Sequence, residues 1–537
     1  MAQQVPDAGQ QIQQIPPPPQ SRITIPDIRI TSKDTPVASA SDGTRIRVDA
    51  LHVTGQTVFV ESELIAATGF KPGGELALGD LRNAAMKITN YYNSRGYPLA
   101  QAYVPAQDVS GGRVTIAVIE GRYGAIDVQN HSSLGDRQAR AVLHGLDSGD
   151  VVASAPLERR LLLLSDIPGV AVNATLKPGT LEGTSDLVVN VEPGRRVTGV
   201  IEADNAGNRY TGEYRLGGTV NFNNITGHGD VASFRLLASN LGMVYGRVAY
   251  QTQFGLATVG VSYAHIRYAL GREFKSLDAS GTADIASIYA SYPLIRSRDH
   301  NLFFVTAAEA KWFKDKVRLT GSETDRTTRS LMVGLNGSFH DSLGGGAWST
   351  YSISATIGTL RLKTPLDLAD DALTARSDGN YAKLQLSASR LQTLVGPLSL
   401  YGSIRGQLAS KNLDSSERME LGGAYGVRAY PEGEAYGDEG YLATIEARLT
   451  LPALSASLPG QVQLIGFVDT GAVTLAKNPW FAGSNSAHRS GYGVGVTWSD
   501  PGNFIVKAAY SRKIGNTAAT SAPDRSGRFW IQIAKFF

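Results

Sequence analysis

LSLYGSIRGQL, residues 398–408, places Leu398, Leu400, Gly402, Ile404, Gly406 and Leu408 on one side of an extended chain and Ser399, Tyr401, Ser403, Arg405 and Gln407 on the other, because successive side chains of a strand point to opposite faces. One face is apolar and the other polar throughout. TYSISATIG (350–358) divides the same way, with Tyr351, Ile353, Ala355 and Ile357 against Thr350, Ser352, Ser354 and Thr356. In KLQLSAS (383–389), Leu384, Leu386 and Ala388 oppose Lys383, Gln385, Ser387 and Ser389. A soluble sandwich alternates too, so connection lengths have to decide. From near 196 to near 527, sixteen candidate strands recur about every 21 residues, each close to the length that crosses a bilayer at a tilt. Connections after even-numbered strands are mostly short, such as FG, SRDHN, LVGP and SDPG. Those after odd-numbered strands tend to be long and polar, such as RYALGREFKSLDASG and LKTPLDLADDALTARSDGN. A transmembrane barrel with both termini on the periplasmic side requires this alternation.

The composition agrees. Gly is abundant at 59, with 22 Tyr and 16 Phe, a profile of turns and exposed strands rather than helices. Only 18% of residues are charged and the net charge is +3, which gives no basic surface for nucleic acid. There is no cysteine, so disulfides and thiolate metal sites are excluded. No apolar run approaches the length of a helical span, and barrel strands need none. The chain ends in GRFWIQIAKFF, with Phe529, Ile531, Ile533 and Phe537 on one face. A closing strand with a C-terminal phenylalanine resembles the assembly signal of bacterial outer-membrane barrels.

Upstream of the barrel the pattern changes. MAQQVPDAGQQIQQ lacks the basic and apolar regions of a signal peptide and would suit a mature N-terminus with an added methionine. PPPP at 16–19 stops any helix, which confines a short one to about 7–15. Residues 21–43 read as a linker. From 44 a strand (RIRVDALHVTG), two helices (VESELIAATGF, LGDLRNAAMKITNYYNSRGY) and two strands (PLAQAYVPAQDV, RVTIAVIEG) follow, and residues 122–194 repeat that β-α-α-β-β order. The expected division is therefore an N-terminal helix and linker (1–43), two α+β repeats (44–121 and 122–194), and a sixteen-stranded barrel (195–537).

The stretch GVRAYPEGEAYGDEGY (426–441) falls in the connection after strand eleven, about 409–438, the sixth outward loop. Later, on strand thirteen, comes GFVDTG (466–471). A barrel with paired repeats and these two motifs resembles the two-partner secretion transporters, the TpsB family, in the superfamily that also contains BamA. The repeats then correspond to POTRA domains, the family's Val-Arg-Gly-(Tyr or Phe) to Val427, Arg428, Ala429 and Tyr430, and its Phe-x-Asp-x-Gly to Phe467, Asp469 and Gly471. Ala429 departs from the usual glycine and would be strained if that position needs a positive φ. Because Val462, Leu464 and Val468 take the lipid-side parity, Phe467, Asp469 and Gly471 turn to the lumen, where a carboxylate can grip a guanidinium through two parallel hydrogen bonds. Glu446 and Arg448 share the luminal parity on YLATIEARL. The loop is thus expected to fold into the pore with Arg428 latching its tip.

What the resemblance implies is an outer-membrane pore of a Gram-negative bacterium, monomeric and embedded in lipid. It would export a large β-helical exoprotein without nucleotide hydrolysis, cofactor or catalysis. Periplasmic POTRA domains would recognise the unfolded client by adding its strand to an open sheet edge; the alternative is that the repeats simply orient the barrel. The candidate edge is Leu99–Val109, with Gln101, Tyr103 and Val104 as contacts. A helix plugs the pore at rest in the family; residues 7–15 would span only about 13 Å, short for that task. Two other readings stay open: a barrel-assembly insertase, which usually carries more repeats, and a diffusion porin, against which the repeats and the inward loop argue. GGG (344–346) and GYGVGV (491–496) lack the Lys-Ser/Thr of a phosphate loop. The adjacent His340, Asp341 and Ser342 lack the separation of a hydrolytic triad, and no histidine spacing suits a metal.

Overall fold

The computed structural model describes residues 5–19, 27–30, 45–109, 111–452 and 459–537. It divides into two compact units: Met1–Ile23 with Arg195–Phe537, and Thr24–Gly194. Most of the linker expected at 21–43 lies outside the described residues.

In the second unit the first repeat is built as expected, with two differences. RIRVDALHVTG is broken at Asp49 into Arg45–Val48 and Ala50–Thr54, because the amides of Asp49 and Ala50 both turn to the carbonyl of Gly112. The first piece pairs with Gly74–Ala77; the second lies parallel to Arg113–Ile119, whose other neighbour is Gln101–Tyr103. That edge strand is far shorter than Leu99–Val109. Pro98 and Pro105 flank it and supply no N–H. Past its end the Gln107 amide occupies the ladder position of Thr115, donating to its carbonyl at 2.7 Å and accepting from its N–H at 2.7 Å. Helices Glu61–Thr68 and Leu78–Ser94 cover the sheet through Leu64, Leu81, Ala85, Ile88 and Tyr92. Residues 122–193 repeat the order with strand Arg122–Asn130, helices Asp136–Val142 and Ser154–Ser165, and strands Val170–Pro178 and Thr184–Pro193. The backbone of Asp27–Ile30 adds a parallel strand along Val170–Pro178.

The first unit is a closed barrel of sixteen strands, each paired with its sequence neighbours. Strands one to eight are Val197–Asp204, Arg215–Asn223, Val231–Ser239, Val244–Phe254, Ala257–Ala269, Ala279–Arg296, His300–Val317 and Ser322–Asp341. Strands nine to sixteen are Ala347–Leu362, Gly379–Val395, Leu398–Ala409, Glu439–Thr450, Gln461–Thr474, Ser486–Asp500, Phe504–Lys513 and Gly527–Phe536. The barrel closes between strands one and sixteen, from Val200 opposite Phe536 to Asp204 opposite Gln532. Leu400, Ile404, Leu408, Ile353, Ile357, Leu386, Phe529 and Ile533 are all exposed on its exterior, as the alternation requires of a wall that meets lipid. No helix among the described residues is long and apolar enough to cross a membrane; the strands do so.

Two outward connections are short, 240–243 and 318–321. Strands seven and eight compensate by running to 18 and 20 residues, so their hairpin rises past the bilayer. The N-terminal helix is shorter than expected, Ala8–Gln13, capped by Asp7, whose carboxylate accepts from the Gln10 amide at 2.9 Å. It lies inside the barrel. Ala8, with Ile12 and Ile15 beside it, packs on a luminal cluster that includes Tyr210, Leu237, Ile266 and Phe313.

Candidate functional site

The loop at 410–438 runs inward rather than out into solvent. Met419–Glu420 pairs with Tyr436–Gly437 to form its neck. At the tip the Val427 amide donates to Leu421 O at 2.7 Å and the Tyr430 amide to Val427 O at 3.0 Å, closing a tight turn that points Arg428 at the wall. Val427, Ala429 and Tyr430 are fully buried.

Arg428 meets strand thirteen in the fork geometry anticipated for a carboxylate. Its Nε donates to Asp469 Oδ2 and its Nη2 to Asp469 Oδ1, both at 2.8 Å, and its backbone amide reaches Oδ2 at 3.1 Å. Nη1 lies 2.9 Å from Glu446 Oε1. Glu446 is shared with Arg448, which stands 4.1 Å over Tyr401. The guanidinium stacks 3.4 Å over Phe467, so the aromatic supplies a face to the cation while Asp469 supplies the charge. Burial works against the Arg428 charge, but the Asp469 hydrogen bonds and field, with Glu446, more than restore it and raise its pKa. Gly471 lies where a Cβ would approach Tyr441 O at 2.8 Å and Leu421 Cδ2 at 2.9 Å, so the loop comes too close for a side chain there.

Six predicted residues, Arg428, Phe467, Asp469, Gly471, Glu446 and Arg448, thus converge at one place. Val427 shapes the turn. Tyr430 turns away, donating to Thr517 O at 3.1 Å, with Arg489 and Lys513 over its ring. The strain feared at Ala429 does not arise: it is not among the residues with positive φ. Its Cβ rests against Gly491 of strand fourteen, where an added Cβ would come within 2.4 Å of it. In the first repeat, Gln101 and Tyr103 are exposed on the edge strand, whereas Val104 lies just beyond it and packs against the domain core.

Several contributors escaped the sequence reading. Ser511 and Trp530, on strands fifteen and sixteen, donate to the Arg428 carbonyl at 2.6 and 2.7 Å, and Thr444 donates to Asp469 Oδ1 at 2.9 Å. The loop carboxylates find luminal cations: Glu434 pairs with Arg489 at 2.6 Å, and Glu417 with Lys311 and Lys383 at 2.8 Å each. Burial pushes Glu417 up, yet the two lysines hold it at about 2. Luminal parity would have exposed these cations had each been matched to a loop carboxylate.

A second cluster joins helix, loop and wall. Arg326 of strand eight lies within 3.1 Å of Asp7, 2.8 Å of Asp315 and 2.8 Å of Asp414. Ser415 Oγ accepts from Arg326 at 3.0 Å and donates to Asp7 at 2.9 Å. Nearby, Gln14 donates to the Tyr436 hydroxyl at 2.6 Å, and that hydroxyl donates to Glu420 at 2.9 Å. Among the described residues no group of three His, Asp or Glu side chains is placed to hold a metal ion.

A family model for "Haemolysin secretion/activation protein ShlB/FhaC/HecB" matches residues 183–498, and one for "POTRA domain, ShlB-type" matches 46–121. Among curated proteins, the heme/hemopexin transporter protein HuxB of Haemophilus influenzae (strain 86-028NP) is 29% identical over 474 residues, 87% of this chain and 82% of that one. The outer membrane transporter CdiB of Dickeya dadantii (strain 3937) is 25% identical over 76% of this chain and 72% of its own length. Among solved structures, CdiB from Escherichia coli superposes with a TM-score of 0.71 at 21% identity, covering 94% of this chain and 93% of that one. BamA from Haemophilus ducreyi lacking POTRA domains 1–3 gives 0.54 at 12% identity. These two likenesses are of fold alone.

Proposed function

The chain belongs to the haemolysin secretion/activation protein ShlB/FhaC/HecB family, and from that premise we propose how its barrel works: as an outer-membrane pore that exports a partner exoprotein, gated by the loop at 410–438. Such transporters sit in the outer membrane with their POTRA domains in the periplasm. The observation that carries the gating is the loop tip held on Asp469 inside a closed barrel. A client arrives unfolded and extended. It pairs with the edge at Gln101–Tyr103, where the Ala102 amide, held by the Thr89 hydroxyl at 2.9 Å, would exchange that bond for one to the client. It then threads the lumen once the helix Ala8–Gln13 withdraws and the loop shifts. No nucleotide is consumed and no bond is made or broken; outward folding of the client, which we take to be a large β-helical protein, draws it through. A single barrel suffices.

The test is export of such a client in cells producing Arg428→Ala or Asp469→Ala. Both variants should give assembled, heat-modifiable barrels and little secreted client. Unchanged export with either variant removes the loop from the mechanism. The insertase reading predicts that purified protein in liposomes speeds insertion of other barrels; our reading expects no such acceleration.

A further inference from the structure

The exterior of strands five to nine changes character abruptly at one height. Val261, Ile288, Ala308, Leu331 and Ile357 face one another across successive strands as an apolar rung. Two residues further toward the external end the rung is Tyr263, Ala286, Ala310, Arg329 and Thr359. Next come His265, Asp284, Trp312, Thr327 and Arg361, then Arg267, Thr282, Lys314 and Asp325. Each step rises about 7 Å along a strand. Tyr263 and Trp312, both exposed, mark the level at which hydrocarbon gives way to headgroups, since amphipathic rings settle there.

Above that line several lysines and arginines are matched: Lys316 with Glu323, Arg361 with Asp378 and Lys363 with Asp325, while the His265 ring lies 2.8 Å from Asp284. Arg267, Lys314 and Arg329 are exposed and, among the described residues, form no ion pair, although Lys314 stands opposite Asp325 in the ladder and within the field of Asp284. Arg267 and Lys314 lie on one rung with Thr282 between them, roughly 10 Å apart by strand spacing. The opposite flank is different. At the corresponding height strands thirteen to fifteen offer Thr470 opposite Ser490 and Tyr492 opposite Arg512, with hydroxyls above. Three cations without an ion pair are therefore gathered on this side, at headgroup level over an apolar wall, against one, Arg512, on the other.

We propose that Arg267, Lys314 and Arg329 form a docking site for the phosphates of a phosphorylated glycolipid of the outer leaflet, its acyl chains lying on the apolar rung below. The position names the lipid rather than a free ion: a soluble phosphate gains nothing from the apolar surface, whereas a lipid satisfies both halves at once. Such an anchor would fix the height and tilt of the long-stranded flank.

The experiment reconstitutes the wild-type barrel, the triple variant Arg267→Gln/Lys314→Gln/Arg329→Gln and the control Arg512→Gln in nanodiscs. Each is titrated with lipopolysaccharide, with its dephosphorylated form and with inorganic phosphate, and bound lipid per barrel is read by native mass spectrometry. At about fivefold per cation near a membrane surface, the triple variant should bind about a hundredfold more weakly. Arg512→Gln should bind as the wild type does, and dephosphorylation should reduce wild-type binding to the triple variant's level. Equal binding by wild type and triple variant, equal retention of the dephosphorylated lipid, or competition by millimolar inorganic phosphate alone would overturn the proposal. Heat-modifiable mobility verifies folding. Should the triple variant not fold, each single variant must show about a fivefold loss, or the site is wrong.

Discussion

Two arginines of the barrel lumen, the mostly buried Arg428 and the buried Arg326, hold the same loop in opposite electrostatic styles. At Arg428 two cations, Arg428 and Arg448, face two carboxylates, Asp469 and Glu446. At Arg326 one cation faces three carboxylates, and one of them, Asp7, arrives on the N-terminal helix. The first is a balanced pair stacked on an aromatic ring and so costs little to keep closed. The second gains an extra negative charge whenever the helix docks, because Asp315 and Asp414 already share the guanidinium. A balanced site suits a fixed point, and an over-acidic one suits a contact that must be released.

The largest effect should come from breaking the balanced site. Arg428→Ala leaves Asp469 and Glu446 buried against each other's charge, and Asp469→Ala strands Arg428; removing one member of such a pair costs about 3–5 kcal/mol. Export should fall to background in either variant, measured as secreted client at equal barrel levels. Arg428→Lys tests the fork itself: a lysine keeps the charge but cannot reach both Asp469 oxygens in parallel, so it should recover only a small part of export.

Arg326→Gln should act next, and through the helix. With the guanidinium gone, Asp7 approaches Asp315 and Asp414 uncompensated, so the helix should leave its seat while the loop tip stays on Asp469. Single-channel conductance in planar bilayers should rise, and a thiol introduced by Ala8→Cys should become accessible to a membrane-impermeant reagent. An inaccessible thiol and unchanged conductance would mean that Arg326 does not hold the helix.

The loop tip and the far end of the helix, where Gln14 meets Tyr436 and Glu420, should also part company with pH. Arg428 stays charged throughout the physiological range because its pKa is raised. Glu420, one hydroxyl away from Gln14 at the end of the helix, is pushed by burial up to about 7, with the Gly433 amide, Tyr436 and Arg405 opposing and Glu434 adding to the rise. Burial and then Glu420 hold Glu432 well above the ordinary carboxylate range. A raised carboxyl favours the docked state when protonated. That contribution is complete below the ordinary glutamate value and disappears as pH climbs through about 7. Conductance should therefore increase between pH 6 and 8, and Glu420→Gln should flatten the dependence, as a neutral amide has nothing to lose.

The sequence declared the balanced site and hid the over-acidic one for a physical reason. Arg428 and Asp469 sit in short contiguous motifs, and strand parity assigns Asp469 and Glu446 to the lumen without any knowledge of neighbours. The node at Arg326 draws on residues 7, 315, 326 and 414, brought together only by closure of the barrel and burial of the helix. Nothing local in PDAGQQ identifies Asp7 as both cap and counter-ion. The barrel strands were legible because a lipid-facing wall enforces one period over their whole length. The edge strand of the first repeat was overestimated at Leu99–Val109 because alternation continues past Tyr103, whereas Pro105 and the Gln107 amide end the pairing.

The smallest predicted effect sharpens the balanced site further. Ala429 takes the place of a glycine expected from the resemblance, and Gly491 on the facing wall leaves room for its methyl group. If the two positions complement each other, Gly491→Ala should overpack the seat, since its Cβ would come within 2.4 Å of the Ala429 Cβ and 3.0 Å of Arg512 O, at a cost of about 1–3 kcal/mol. Export should drop partially, well short of the loss from Asp469→Ala. Ala429→Gly alone should be nearly silent, because it removes a methyl group and leaves the Asp469 contacts in place. The double variant Ala429→Gly/Gly491→Ala should then regain most of what Gly491→Ala lost, a coupling that a double-mutant cycle on export rate measures directly. Additive losses would mean that the added methyl clashes with Arg512 O rather than with the loop, and that Ala429 is accommodated by the turn's own backbone.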